Sequence, residues 1–344
     1  MGQLLLQPVH FWTLADVREL SEWDPDHEPA RFADGRGHWL FELFVRLARR
    51  GAPVSIGKRA GGQARLLVTT LQDLEGEFGR ISPRKVALLA LETMRCRCGV
   101  IVIRSDRPEF VKAPGFVQCE VVPNPSAVVD TKRQRWLPPL PQRGLIPRDP
   151  GRGSLVEVMA LKSFSFNLPS FVGDRQFADA LKGLGVTLRV DCEPARWADF
   201  SDCDLALCVR RYDPQWDTEG FPRKPPTKLI NAWVAGAIPL IGPERGYLDL
   251  ARVGADALLV HTPEDILEAV RRLRHSAELA EALRRAGAGR AREFGVECVL
   301  DRWQELLSMD PEPRQVRAAA AFVWSGARCA GRRITRAVAR LVSA

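Results

Sequence analysis

Short apolar runs alternate with segments of helical periodicity along almost the whole chain, in two series divided by a proline-rich stretch. Strands buried on both faces read as continuous runs of Val, Ile and Leu, so this alternation specifies strand–helix crossovers and parallel sheets. In the first series the runs at 4–10, 54–56, 66–69, 86–91, 100–104 and 117–122 are expected strands. Leu40, Phe41, Phe44, Val45 and Leu47 share one face of a helix, and Gly51 stands where its C-terminal cap belongs. The second series has expected strands at 155–161, 186–190, 205–209, 237–241 and 257–260. Its helices are expected at 175–184, stopped by Gly185, at 227–235, and from 264 onward.

Residues 134–153 hold Trp136, five prolines and three glycines with almost no periodicity, which is a linker composition. A chain of 344 residues exceeds what one core usually supports. The expected organisation is therefore an α/β protein of two Rossmann-like domains, 1–133 and 154–312, joined by a linker at 134–153 and followed by a tail at 313–344. Ligands of such sheets sit beyond the C-terminal ends of the strands, so the cleft between the halves is the expected site.

Composition narrows the class further. No apolar stretch approaches the roughly 20 residues of a membrane-spanning helix, and the N-terminus lacks a signal-peptide pattern, so a cytoplasmic location is expected. The eight cysteines are scattered and read as reduced; Cys96-Arg97-Cys98 has the wrong spacing for a zinc or redox pair. The formal charge of +8 is concentrated in the tail, where residues 313–344 carry seven arginines and no acid, leaving the rest near neutrality. With no basic stripe in the body, nucleic acid is not an expected partner. On a helical projection Val323, Ala327, Ala330, Ile334, Val338 and Leu341 share one face and the arginines spread over the other. That is a basic amphipathic helix, for which an anionic membrane surface is the expected partner.

The most informative segment runs from Arg210 to Tyr247. Pro225 and Pro226 favour a helix start, with Thr227 expected to cap it. Free amides at that start and the helix dipole make an anion site. Arg210 and Arg211 end the preceding strand on the same edge, and Lys224 and Lys228 flank the helix start, so four cations are expected to converge on one anion. A diphosphate fits that description.

The run 228–244, Lys-Leu-Ile-Asn-Ala-Trp-Val-Ala-Gly-Ala-Ile-Pro-Leu-Ile-Gly-Pro-Glu, resembles the donor-site helix and following strand of GT-B glycosyltransferases, particularly bacterial enzymes of the family 1 and family 4 type. The turn Gly35–Gly37 before a helix resembles their first acceptor-side loop, Val121-Val122-Pro123-Asn124-Pro125 the end of their N-terminal domain, and 291–303 their closing helices. The resemblance covers about residues 1–310 and is strongest over 204–247. It implies transfer of a sugar from a nucleotide-sugar donor to a glycan or lipid-linked acceptor, as in bacterial cell-surface polysaccharide or glycoconjugate synthesis; with the membrane contact expected of the tail, such an enzyme is expected as a peripheral protein on the inner face of the plasma membrane. The donor is a substrate, and no cofactor is implied.

One departure stands out. Retaining family 4 enzymes carry two glutamates eight residues apart, the second holding the donor ribose; the matching positions here are Arg223 and Asn231. Asn231 brings no charge, and Glu244 is the substitute expected to contact ribose or sugar. An inverting reaction needs a base from the first half, with His38 the first candidate and Asp34 the second. Neither literal Asp-x-Asp match, Asp24-Pro25-Asp26 or Asp202-Cys203-Asp204, lies where a ligand should sit, so metal-independent transfer is expected. A nicotinamide oxidoreductase would need Gly-x-Gly-x-x-Gly after a strand, and neither half has it. A non-catalytic nucleotide-sugar-binding or scaffold protein on the same fold is the alternative.

Overall fold

The computed structural model describes residues 7–107, 111–211, 224–312 and 316–322. The first half is a six-stranded parallel sheet of order β2-β1-β3-β4-β5-β6. Its strands are β1 (Val9–Trp12), β2 (Val54–Gly57), β3 (Leu66–Thr70), β4 (Gly99–Ile103), β5 (Cys119–Val122) and β6 (Gln134–Trp136). Side chains alternate between two buried layers, as a sheet covered on both faces requires. Leu66, Val68, Ile101 and Ile103 pack under α1 (Glu42–Arg49). Leu67, Val100 and Val102 pack under α3 (Pro83–Cys96). A short α2 (Leu71–Leu74) directly follows β3.

Three expectations for this half are corrected. The run 86–91, expected as a strand, lies inside α3. A short Val-Ala-Leu-Leu-Ala-Leu run does not distinguish a buried strand from a helix. The decision comes from outside it: Ser82 caps the helix by accepting the Lys85 N–H at 3.4 Å, and Pro83 opens the first turn. The segment 134–153, expected as linker throughout, starts by forming β6 on β5. An edge strand pairs on one side only, so it tolerates the polar, half-exposed sequence Gln134-Arg135-Trp136. The first strand lies at Val9–Trp12 rather than 4–10, whose start falls outside the described residues.

The second half is a five-stranded parallel sheet of order β11-β10-β9-β7-β8. It comprises β7 (Val158–Lys162), β8 (Thr187–Asp191), β9 (Leu205–Cys208), β10 (Ile238–Ile241) and β11 (Leu258–Leu259). One face is covered by α4 (Arg175–Gly183) and α7 (Pro263–His275). The other is covered by α5 (Thr227–Ala235), with α6 (Arg245–Leu248) beside it and α8 (Ala277–Phe294) packed on α5. Trp233 of α5 stacks on Phe294 of α8 at 5.7 Å. A Cβ at Gly287 would lie 3.1 Å from the Trp233 ring, so the glycine is what lets these helices approach.

The chain then returns to its beginning. After Gly295, α9 (Val296–Leu307) buries Val299, Leu300, Trp303 and Leu307 in the core beneath α1. The second domain, expected to run to 312, therefore gives its last helix to the first half, because the apolar stripe of α9 finds an uncovered face there. Residues 316–322 are helical, with Ala319 buried against the α3 layer and Phe322 5.9 Å from Phe116. This opening part of the tail packs on the protein; the amphipathic helix expected from Val323 onward lies outside the described residues.

Candidate functional site

A cleft of about 490 Å³ opens between the C-terminal edges of the two sheets. Asp34 and His38 line it from the first half, and Arg210, Lys224, Thr227, Lys228 and Asn231 from the second. Arg211 is exposed outside the lining, and Glu244 is buried behind it at 1% exposure.

Local sequence explains the donor-side wall. Pro226 occupies the N-cap position with φ −78°, and no side chain caps α5. Thr227, expected as the cap, is instead the first helical residue, because the preset proline backbone starts the helix one position earlier. The first amides of α5 thus have no side-chain acceptor and face a cleft, which suits an anion. At the other end Gly236 closes the helix at φ +75°, a backbone only glycine adopts without strain.

The four expected cations are not equivalent. Arg210 Nε donates to Glu244 Oε2 at 2.9 Å. Burial works against the Arg210 charge, but Glu244 beside it more than offsets this and holds its pKa above the ordinary arginine value. Glu244 therefore anchors Arg210 from behind instead of reaching the cleft as expected. Lys224 Nζ pairs with Asp106 of the first half at 3.2 Å, and Asn124 Nδ2 donates to the Lys224 carbonyl at 3.2 Å, so this residue ties the halves together. Lys228 Nζ donates to the Val209 carbonyl at 3.2 Å rather than to a carboxylate. Burial, and then the neighbouring Arg210, push its pKa down to about 8. Of the cleft's cationic groups, Lys228 and the α5 amides have no carboxylate partner among the described residues. Asn231 Oδ1 accepts the Gln142 N–H at 2.8 Å and so fastens the interdomain segment.

On the opposite wall, His38 sits in the π-helical turn Gly37–Phe41 that leads into α1. Its Nδ1 lies 2.9 Å from Arg143 Nη1, and Arg143 Nη1 also donates to Glu42 Oε2 at 3.0 Å. Glu42 is fully buried and takes Arg46 Nε on its other oxygen at 2.9 Å. His38 Nδ1 also lies 3.4 Å from Glu42 Oε2, so it can accept from Arg143 or donate to Glu42, and the tautomer decides which. His38 thus lies in the cleft wall, where sequence places the first candidate base, with its Nε2 buried and without a hydrogen-bond partner among the described residues. Asp34 accepts the Gly37 N–H at 2.6 Å through Oδ1 and is exposed in the cleft.

Several residues escaped sequence reasoning. Arg143 lay in the segment read as linker. Glu42 carried a legible signal, a carboxylate on the apolar face between Phe41 and Leu43. Lys162, at the end of β7, pairs with Asp191 at 2.8 Å on the cleft wall. Phe164 and Phe166 stack at 5.4 Å, with Trp197 edge-on to Phe164 at 4.7 Å, along the same wall. Both Asp-x-Asp matches are engaged in ion pairs away from the cleft: Asp24 and Asp26 with Arg49 and Arg46, Asp204 with Arg148 and Arg152.

No family model matches the chain, and no curated protein does. Among solved structures, sucrose-phosphate synthase of Thermosynechococcus elongatus superposes with a TM-score of 0.50 at 12% identity, over 91% of this chain and 100% of that one. HepE of Anabaena, solved with UDP and glucose, gives 0.49 at 12% identity over 88% and 99%. AviGT4, a glycosyltransferase involved in avilamycin A biosynthesis, gives 0.45 at 12% identity over 92% and 98%. The first of these shares the arrangement found here, two Rossmann-like domains facing across a cleft.

Proposed function

We propose that this chain, which has the GT-B fold, is a glycosyltransferase that moves a sugar from a nucleotide-sugar donor to a glycan or lipid-linked acceptor. The observation that carries the reading is the uncapped start of α5, open to the cleft beside Lys228 and Arg210 and opposite Asp34. Transfer from a nucleotide-sugar builds negative charge on the leaving diphosphate, and donors held ready for that charge lower the barrier. Lys228 and the amides at Thr227 meet the diphosphate, Arg210 is held in place by Glu244, and Lys224 shares its charge with Asp106. The phosphate charge is matched by these groups without a metal, so chelators leave turnover intact.

If the reaction inverts, His38 takes the acceptor proton, with Asp34 the second candidate. The seven arginines of the tail support a location on the inner face of a bacterial plasma membrane, where acceptors for cell-surface polysaccharide or glycoconjugate synthesis are found. A thermal-shift screen against UDP-, GDP-, ADP- and dTDP-sugars tests the reading. A donor at about 100 times its dissociation constant adds roughly 2.7 kcal/mol of stability, and Lys228→Ala removes most of that gain. Absence of any shift across the panel overturns the proposal. A second reading, a nucleotide-sugar-binding protein without turnover, is favoured by the engagement of Asn231 by Gln142. Donor binding without hydrolysis or transfer selects it.

A further inference from the structure

On the outside of the first half, away from the cleft, lies a groove of about 590 Å³. Its floor is apolar, made by Leu14, Leu88, Leu91 and Met94, and its rim carries Lys58, Arg59 and Arg97. Leu88 is 41% exposed, a large aliphatic side chain held toward solvent. Along α3 the residues Arg84, Leu88, Leu91 and Arg95 recur at helical spacing, so one outer stripe alternates cations with leucines. Arg95 is matched by Glu92; Lys58, Arg59 and Arg97 have no carboxylate within salt-bridge reach among the described residues.

Arg97 adds an independent sign. It ends α3 in the left-handed region at φ +52°, a cap position where glycine is usual and a bulky side chain is strained. Strain of this kind persists where the side chain serves a purpose. The same Arg97 also lines an adjoining cavity of about 500 Å³, together with Arg65, Arg317 and the acidic Glu312. Arg317 belongs to the helical residues 316–322, so the chain leaves the described structure beside this groove, and residues 323–344 add five more arginines and no acid.

We infer that this face of the first half docks on an anionic lipid bilayer, with the Leu88 stripe entering the interface and Lys58, Arg59 and Arg97 meeting lipid phosphates. Apolar side chains set among unmatched cations are the chemistry of an interfacial contact, and a single basic segment holds a membrane only weakly. The surface extends the tail reading and is independent of sugar transfer, since none of these residues lines the cleft.

The test is co-sedimentation of the full chain with phosphatidylcholine vesicles, with and without phosphatidylglycerol, alongside the thermal midpoint and nucleotide-sugar binding. The wild type pellets with the anionic vesicles only. Arg97→Gly loses about fivefold in partitioning, the effect of one interfacial cation, while its midpoint stays level or rises because glycine relieves the backbone. Leu88→Ser also loses partitioning and keeps its fold. Variants that pellet like the wild type overturn the proposal and leave anchoring to the tail. A lower midpoint for Arg97→Gly overturns the strain argument. RNA binding that Lys58→Glu abolishes and Leu88→Ser leaves untouched assigns the surface to nucleic acid instead. None of these outcomes alters nucleotide-sugar binding, so failure here is separate from failure of the proposed activity.

Discussion

Replacing Glu244 by Gln keeps the shape of the side chain and removes the charge that holds Arg210. The side chains are 2% and 13% exposed, so the pair is nearly dry, with a small opening on the arginine side. Breaking such a pair by removing one partner costs about 3–5 kcal/mol, chiefly because the other charge stays buried without compensation. Gln can still accept one hydrogen bond, and Arg210 reaches cleft water, which places the expected loss near the lower end, about 3 kcal/mol. At about 2–4 °C per kcal/mol for a unit of this size, the thermal midpoint should fall by roughly 6–12 °C. Pyrophosphate should then restore more stability to the variant than to the wild type, because the stranded guanidinium gains an anion. Denaturant titration with and without pyrophosphate measures both quantities. Unchanged stability, or an equal pyrophosphate gain in both proteins, would refute the account of Arg210 as a phosphate-facing cation anchored from behind.

Lys228, with its pKa near 8, should lose its charge as pH rises through that value, so pyrophosphate affinity of the free protein weakens above about pH 8 and stays flat in Lys228→Arg. Because the folded-state pKa lies below the unfolded value of about 10.5, the charged lysine costs stability fully below pH 8, and the cost is relieved between 8 and 10.5; comparing unfolding of wild type and Lys228→Met across that window checks the sign. Asp106→Asn releases Lys224 from a half-exposed pair worth at most about 1 kcal/mol, so calorimetry should show pyrophosphate binding tightened by up to about fivefold. Trp303→Ala empties a buried site shared by α9 and the first half and should cost about 3–5 kcal/mol, with limited proteolysis opening first near Gly295.

The sequence read most accurately where one local rule decides. The boundaries of α5 at 227 and 235 coincide with the expectation because two prolines and Gly236 act on the backbone within a few residues of the helix ends. It read least accurately where an apolar run was short: 86–91 has no intrinsic period, and the Ser82 cap with the outward spacing of Leu88 and Leu91 tipped it into a helix. The site shows the same division. Residue types and order were enough to bring Arg210, Lys228, Thr227, Asp34 and His38 to one cleft. Their partners were not legible, since a contact such as Arg143 to His38 joins positions 105 residues apart.

Alternating strand and helix periods, the chain length, and the proline-to-glycine bounds of 227–236 determine from sequence alone a two-domain parallel α/β protein with an anion-ready helix start. Only the tertiary structure decides which cations stay free, that His38 is held between Arg143 and Glu42, and that α9 closes over the first half. Backbone preference acts between neighbours in sequence, whereas charge pairing, tautomer and burial depend on what distant segments bring within a few ångströms.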